Sequence, residues 1–172
     1  PLTRAVPFST FPLFRLQDKV SEIDQYHPSD MGHTHRHKNH IDRLHYINKY
    51  HQIAAIEQHS PVVTLYNARN GHQVGQLKGG RGVPMSMQYI PEQDALVTCC
   101  ADMTMCSWNM KKPDHHSLHG DAGLHQMKFC WPTTQVQTCL CWDAGHNLLY
   151  SGSTAGTIHA WDVNQRQERN RI

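Results

Sequence analysis

The segment that decides the fold is SGSTAGTIHAWD, residues 151–162. It aligns without a gap to TCCADMTMCSWN, residues 98–109, and that segment aligns without a gap to IEQHSPVVTLYN, residues 56–67. Each copy ends in an aromatic residue followed by Asn or Asp. The three aromatic residues are Tyr66, Trp108 and Trp161. Three copies of one short pattern indicate an internal repeat, and a repeat of this length decides the architecture of the whole region.

Short apolar or β-branched runs alternate with turn-forming residues from Ile41 onward. The stretch before each aligned copy repeats as well, and it adds two further columns to the alignment. These columns are Leu44, Met87 and Leu140, and Tyr46, Tyr89 and Trp142. Runs of four to eight residues separated by turns predict antiparallel strands, and no long stretch here carries a helical period. We therefore expect an all-β chain built from four-stranded units of roughly 42 residues.

The repeat predicts three units, at about residues 41–78, 83–119 and 136–172. The spacing between the second and third aromatic residues is larger than that between the first two, so extra residues must lie between those units. We place them in an insertion at residues 120–135. Part of this insertion is too apolar for a free loop, and we expect it to pack against a neighbouring surface. The apolar residues concerned are Phe129, Cys130 and Trp131.

Residues 1–40 differ from the rest and are predicted to form an irregular N-terminal segment with a His-rich linker. Prolines interrupt regular structure at Pro7, Pro12 and Pro28. Residues 11–16 fit a short strand. An amphipathic helix fits the same region, with one apolar face formed by Leu13, Leu16, Val20 and Ile23. The sequence leaves both alternatives open.

A four-stranded repeat of roughly 40–45 residues, with a third strand that ends in an aromatic residue followed by Asp or Asn, resembles the WD-repeat β-propeller family. The strongest likeness is in the third copy, in Ser151-Gly152-Ser153, Gly156-Thr157-Ile158 and Trp161-Asp162. Weaker copies are Trp108-Asn109 and Tyr66-Asn67. The resemblance covers about residues 41–172 and implies a partial β-propeller of about three WD-type blades. Since the family closes with about seven blades, it also implies a fragment whose end faces are covered by the remaining blades of a longer chain.

The chain departs from the family's pattern at several positions. The family places an Asp in the turn between the second and third strands of each blade, where this chain has Ser60, Asp102 and Ala155. The Gly-His pair that the family places before each first strand is missing before Val83, and only the reversed His119-Gly120 lies ahead of Val136. The resemblance therefore implies that the family's His–Ser/Thr–Asp–Trp hydrogen-bond network is incomplete in all three blades.

A second, weaker resemblance involves the large WD-repeat proteins that also carry EF-hands. It rests on LCWDAGHNLLYSGSTAGTIHAWDV, residues 140–163. No D-x-[DN]-x-[DN]-G calcium loop occurs in the sequence.

Composition excludes several classes of function. The formal net charge of +2, from 16 basic and 14 acidic side chains, is too balanced to indicate nucleic-acid binding. No apolar run approaches the roughly 18–20 residues that span a bilayer, so we expect no membrane segment. The 15 histidines nearly match the number of basic residues, and net charge therefore depends on mild acidity more than usual.

The sequence contains six cysteines and no C-x-x-C pair. They are Cys99, Cys100, Cys106, Cys130, Cys139 and Cys141. We interpret them as buried free thiols, and we expect a reducing, intracellular and specifically cytoplasmic location. The sequence has no signal peptide pattern, and its first residue, Pro1, suggests a processed chain or a fragment.

Four groups of residues are candidates for chemistry or binding. The first is a metal site at His33, His35, His37 and His40, where three imidazoles share one side in either a strand or a helix; the alternative is a solvated linker. The second is a metal or redox role for Cys139 and Cys141 on one strand face, or for Cys99 and Cys100 on opposite faces; the alternative is small side chains packed between blades.

The third is a pH-sensitive contact at His115, His116, His119 and His125, with exposed loop histidines as the alternative. The fourth is Arg81 on the Gly-rich GGRGV loop, a possible partner contact.

No catalytic motif is present: the sequence has no G-x-S-x-G, no H-E-x-x-H and no ordered carboxylate pair. We therefore expect no enzymatic activity and no cofactor, and a non-enzymatic scaffold that holds protein partners on its rim loops. A metal-binding module that uses residues 33–40 is the alternative. An enzyme on a propeller frame is the third hypothesis, and it requires polar residues that converge on the channel.

Overall fold

The computed structural model describes residues 40–111 and 124–171, and within these ranges it contains β-strands and two short 3₁₀ turns but no α-helix. The all-β class predicted from the sequence is confirmed for this part of the chain. The predictions for the N-terminal segment, apart from His40, lie outside the described residues. None of the helical turns in residues 40–111 or 124–171 has the length and apolar character needed to cross a bilayer.

The elements follow one another in short runs. The first seven strands are β1 (Ile41–Ile47), β2 (Gln52–Glu57), β3 (Val63–Asn67), β4 (Gln73–Leu77), β5 (Pro84–Ile90), β6 (Ala95–Cys100) and β7 (Thr104–Asn109). The others are β8 (Leu124–His125), β9 (Met127–Pro132), β10 (Gln137–Asp143), β11 (Leu148–Ser153), β12 (Ile158–Asp162) and β13 (Gln167–Arg171). The 3₁₀ turns are Asn48–Tyr50 and Pro91–Gln93.

Three antiparallel sheets form in chain order, each with four strands. Sheet one is β1-β2-β3-β4, sheet two is β5-β6-β7-β9, and sheet three is β10-β11-β12-β13. The short strand β8 adds to sheet one by pairing in parallel with β4. The predicted unit of four short antiparallel strands is therefore confirmed.

The structure differs from the predicted arrangement in the second unit. Residues 120–135 are not an insertion between two complete sheets, because β9 pairs with β7 and supplies the fourth strand of sheet two. The extra residues lie instead between β7 and β9, inside the unit. The expectation that the apolar part of this stretch packs against a neighbour is confirmed, since Trp131 is buried and Phe129 packs against the same core cluster. Phe129 and Trp131 are apolar side chains that require burial. Pairing of β9 with β7, as the outer strand of sheet two, places both of them against the core cluster.

The gapless alignment also needs a correction in sheet one. On the third strand of each sheet the alignment is correct, because the three aromatic residues occupy equivalent positions. Each pairs with an equivalent residue of the second strand: Tyr66 with Ile53, Trp108 with Leu96 and Trp161 with Leu149. On the second strand, however, the residue that matches Thr98 and Ser151 is Ala55, not Ile56. The reason is that the connection from β2 to β3 is one residue longer than the corresponding connection in the other two sheets.

The sheets pack face to face, and their contacts form two core clusters. The cluster between sheets one and two contains Ile47, Ile56, Leu65, Leu77, Met87, Tyr89, Leu96 and Trp108. The cluster between sheets two and three contains Ile90, Val97, Met105, Trp131, Leu149 and Trp161. Fully burying an aliphatic side chain of this size contributes roughly 1.5–3 kcal/mol. The contacts between sheets are therefore a principal source of stability.

The two columns predicted for the first strands lie at these contacts. Met87 and Tyr89 are only 5% and 6% exposed against sheet one. The corresponding residues of sheet one, Leu44 and Tyr46, are 49% and 51% exposed. The same side-chain positions are therefore covered where a sheet precedes them and open where none does in the described residues.

A buried carboxylate joins sheets one and two. Asp94 accepts hydrogen bonds from the Tyr89 hydroxyl at 2.7 Å, the Tyr50 hydroxyl at 2.6 Å and the Lys49 ammonium at 2.8 Å. Burial opposes ionisation of Asp94, but these three donors outweigh it and hold its pKa below the ordinary value. Asp94 has the left-handed φ of 47°, which Asp and Asn tolerate better than most residues.

A histidine crosses the same contact. The Nε2 atom of His45 accepts a hydrogen bond from the backbone N–H of Tyr89 at 3.2 Å. Partial burial lowers the pKa of His45, because charge is costly there. The neutral ring is the form that accepts this bond, so the contact is lost as the pH falls through the folded-state pKa of His45, which lies below the ordinary histidine value.

Changing Asp94 to Asn keeps the turn geometry but removes the charge. We expect it to lower the free energy of unfolding at pH 7 by about 1–3 kcal/mol, since charge-assisted bonds are lost at a buried site. Because the folded-state pKa is depressed, the wild-type contribution is present above about pH 4 and is lost as the pH falls through the folded value. Urea unfolding between pH 2 and 7 measures both effects.

The matched control is Asp42→Asn, since Asp42 is exposed and its carboxylate forms no hydrogen bond in the described residues. An Asp94→Asn protein as stable as this control, with the same acid dependence, would contradict the role of the carboxylate.

Candidate functional site

The antiparallel order places the loops on two opposite rims of the sheets. One rim, which we call the linker rim, holds the β2–β3, β6–β7 and β11–β12 turns. It also holds the links between sheets, at residues 78–83 and 133–136. The opposite rim, the turn rim, holds the first turn of each sheet and the connections that lead to its outer strand.

Backbone hydrogen bonds fasten each link on the linker rim to the turn of an adjoining sheet. The N–H of Ala101 donates to the carbonyl of Val83 at 2.9 Å, and the N–H of Thr133 donates to the carbonyl of Met103 at 2.8 Å. In sheet three the N–H of Thr154 donates to Val136 at 3.0 Å. The loops of this rim are therefore held in place by the sheets that they connect.

The turn between the second and third strands is stabilised differently in each sheet. In sheet two, Asp102 accepts a hydrogen bond from the Thr104 hydroxyl at 2.6 Å. In sheet one, the Ser60 hydroxyl accepts the N–H of Val62 at 3.2 Å.

In sheet three Ala155 cannot take this role, and Ser153 takes it instead. The Ser153 hydroxyl accepts the backbone N–H groups of Ala155 and Thr157, both at 3.3 Å. The sequence comparison missed Ser153 because the stabilising group lies two residues before the matched position.

The aromatic column forms part of the polar network that the family resemblance implies. The indole N–H of Trp108 donates to the Thr98 hydroxyl at 3.0 Å, and that of Trp161 donates to the Ser151 hydroxyl at 2.7 Å. In sheet three the bond continues from Ser151 to the side chain of Gln137 at 2.6 Å. Sheet one cannot form it, because Ala55 has no hydroxyl.

Three exposed side chains lie where sheet two meets the linker rim. Arg81 lies on the link into this sheet and is exposed. Met103 is 47% exposed in a left-handed conformation with φ 60°, and Met85 is 37% exposed. Gly82 lies directly against the Asp102 carboxyl group, which brings the link and the turn together. Arg81 and Met103 lie on loops of this rim, and Met85 lies near the start of β5.

The other candidate residues have varied outcomes. Of the histidine tract only His40 is described; it is exposed, and His33, His35 and His37 lie outside the described residues. Residues 40–111 and 124–171 contain no group of three or more His, Cys, Asp or Glu side chains placed to hold a metal ion. His125 is buried, with Nδ1 2.9 Å from the Asn109 carbonyl, so it is not an exposed loop residue. His115, His116 and His119 are not among the described residues.

The interpretation of all six cysteines as buried free thiols is wrong. Cys106 and Cys130 form a disulfide between β7 and β9. Cys139 and Cys141 are free but exposed, so they are not packed between two described sheets. Cys99 and Cys100 are free and buried, and burial raises the pKa of both thiols, to about 12 for Cys99.

Changing Gly82 to Ala should disturb the linker rim, because the new Cβ would overlap the Asp102 carboxyl group. We expect the loss of the Asp102–Thr104 bond and a decrease in unfolding free energy of about 1–3 kcal/mol. Gly80→Ala is the matched control, since a Cβ there meets its nearest atom at 3.8 Å. Thermal unfolding of both variants measures the difference, and equal melting temperatures would show that the close approach has no energetic role.

Comparison with known proteins adds one match. The family model described as WD domain, G-beta repeat matches residues 126–162. No curated protein matches the chain. The matched residues run from β9 to the end of β12, so one sequence repeat combines the outer strand of sheet two with three strands of sheet three. The match therefore assigns a WD-type repeat to residues 126–162, and the chain repeats the same four-stranded sheet three times in succession.

Proposed function

We propose that this chain is a non-enzymatic scaffold that binds protein partners through the linker rim. WD-type repeats are typically scaffolds for protein–protein interaction, and this supports the general role. The observation that carries the specific proposal is the exposed pair Arg81 and Met103 on loops that backbone hydrogen bonds hold to the sheets. Preordered loops lose little conformational freedom on binding, so more of the contact energy becomes affinity.

The chemistry of this surface favours a particular type of partner segment. Arg81 offers a guanidinium that pairs well with a carboxylate. Met103 and Met85 are flexible and polarizable, and such side chains adapt to apolar groups of different shapes. The proposed partner therefore presents an acidic residue next to an apolar one.

The test is a binding comparison with charge-reversed variants. A partner captured by the wild-type chain from a cell extract should be lost with Arg81→Glu and with Met103→Asp. The matched control is Arg69→Glu, because Arg69 is also exposed but lies on the turn rim. Capture that survives both linker-rim changes, or that Arg69→Glu abolishes equally, would contradict binding through this rim.

We further propose that the remaining blades of a longer chain cover the two open sheet faces. Leu44 and Tyr46 are exposed on sheet one, and Ile158 is 49% exposed on sheet three. Met105, the residue of sheet two that corresponds to Ile158, is fully buried against sheet three. Apolar groups at such positions indicate a face that another sheet normally covers.

The isolated 172-residue chain should consequently self-associate. Sedimentation velocity at micromolar concentrations should show species larger than the monomer, and Leu44→Glu combined with Ile158→Glu should reduce them. Val74→Glu is the control. Val74 is also exposed, at 37%, but it lies on β4, the fourth strand of sheet one, and is not among the end-face residues named above. A monomeric and cooperatively folded wild-type chain would count against covered end faces, without bearing on the linker rim.

We also propose a cytoplasmic location for the scaffold. The support is the presence of four free cysteines, Cys99, Cys100, Cys139 and Cys141, since free thiols persist in reducing compartments.

A further inference from the structure

We propose that Cys106 and Cys130 are a reversible thiol–disulfide pair that fastens the outer strand of sheet two to its neighbour. The two residues are direct partners in the antiparallel ladder between β7 and β9. Their Cα atoms are 4.1 Å apart, and their sulfur atoms are bonded. Among the described residues no other two cysteines form such a pair.

The pair is asymmetric in its access to solvent. Cys130 is exposed on β9, whereas Cys106 is buried on β7 with 1% exposure. Thiol–disulfide exchange requires a thiolate to reach one of the two sulfur atoms. A reductant can therefore approach from the side of Cys130, while the inner sulfur remains protected.

The exchange balances with an ordinary cellular dithiol as the reductant. Its thiolate attacks Sγ of Cys130, the S–S bond breaks, and Cys106 leaves as a thiolate that takes up a proton. The second thiol of the reductant then displaces Cys130 from the mixed disulfide. The products are two protein thiols and one oxidised dithiol. Oxidised glutathione reverses the process and leaves as two molecules of glutathione.

The outer strand of sheet two depends on this link more than the outer strands of the other sheets would. In sheets one and three, residues 68–72 and 163–166 connect the third strand to the fourth. In sheet two, residues 110–126 separate β7 from β9. A longer connection makes closure of the strand pair entropically less favourable, and a covalent cross-link compensates for that.

Fastening β9 also affects the contact between sheets two and three. Trp131 of β9 is buried in that core cluster, and Phe129 packs against it. The guanidinium of Arg166, from the turn before β13, lies 4.9 Å from the centre of the Phe129 ring. Release of β9 would therefore weaken the packing between sheets two and three. The redox state of this cysteine pair would then also affect the loop surface that these two sheets support.

The four free cysteines are poor substitutes for Cys106 and Cys130. Cys99 and Cys100 are buried, and their raised pKa values keep them as unreactive thiols. Cys139 and Cys141 are exposed, but they lie two residues apart on the same strand, β10. They serve instead as internal controls for nonspecific oxidation.

The experiment equilibrates the full chain in glutathione buffers from strongly reducing to strongly oxidising. Differential alkylation followed by peptide mass spectrometry counts each thiol, and hydrogen exchange follows the amides of β9. We expect Cys106 and Cys130 to become protected together in a single two-electron transition, and the β9 amides to exchange roughly tenfold faster in the reduced form. Cys130→Ser should exchange as fast as the reduced wild type in every buffer, and Cys141→Ser should behave as wild type.

Three results would overturn the proposal. The first is full alkylation of Cys106 and Cys130 in all buffers. The second is a disulfide that persists in the most reducing buffer or joins other cysteines. The third is an exchange rate of β9 that does not depend on the redox state.

Discussion

The structure depends on one constraint: a sheet that is apolar on both faces must be covered on both faces. Leu96 and Val97 are neighbours on β6 and point to opposite sides, yet both are fully buried, one in each core cluster. Sheet two satisfies the constraint because sheets one and three cover it. This arrangement explains why the same alignment columns recur at each contact, since every sheet repeats the problem that its neighbour solves.

Hydrogen bonds near the first turns add directional contacts to the apolar packing between the sheets. Asp94 joins the first two sheets through three donors, while the indole N–H of Trp142 donates to Glu92 at 2.9 Å between the second and third. The chemistry differs, but in both cases a carboxylate of the first turn of sheet two bonds to the adjacent sheet. Side-chain contacts on the turn rim and backbone hydrogen bonds on the linker rim therefore hold the loops in fixed positions on the sheets.

Most of the fold could be predicted from particular residues. The aromatic column identified the third strand of every sheet, and Thr98 and Ser151 proved to be the hydrogen-bond partners of Trp108 and Trp161. The errors arose where the answer depends on distant pairing. The partner of β7 is separated from it by the longest connection, so similarity along the chain could not identify β9. Ser153 was missed as the residue that stabilises its turn, because side chains at different sequence positions can stabilise equivalent turns.

The sequence by itself determined the all-β class, the three successive four-stranded units and the residues that face the neighbouring sheets, because these follow from local periodicity and a repeated pattern. Only the tertiary structure decided which segment completes sheet two, which cysteines meet and which apolar residues stay open. Those features depend on approach between residues far apart in the chain. Cys106 and Cys130 are separated by 24 positions and become neighbours only when β9 pairs with β7.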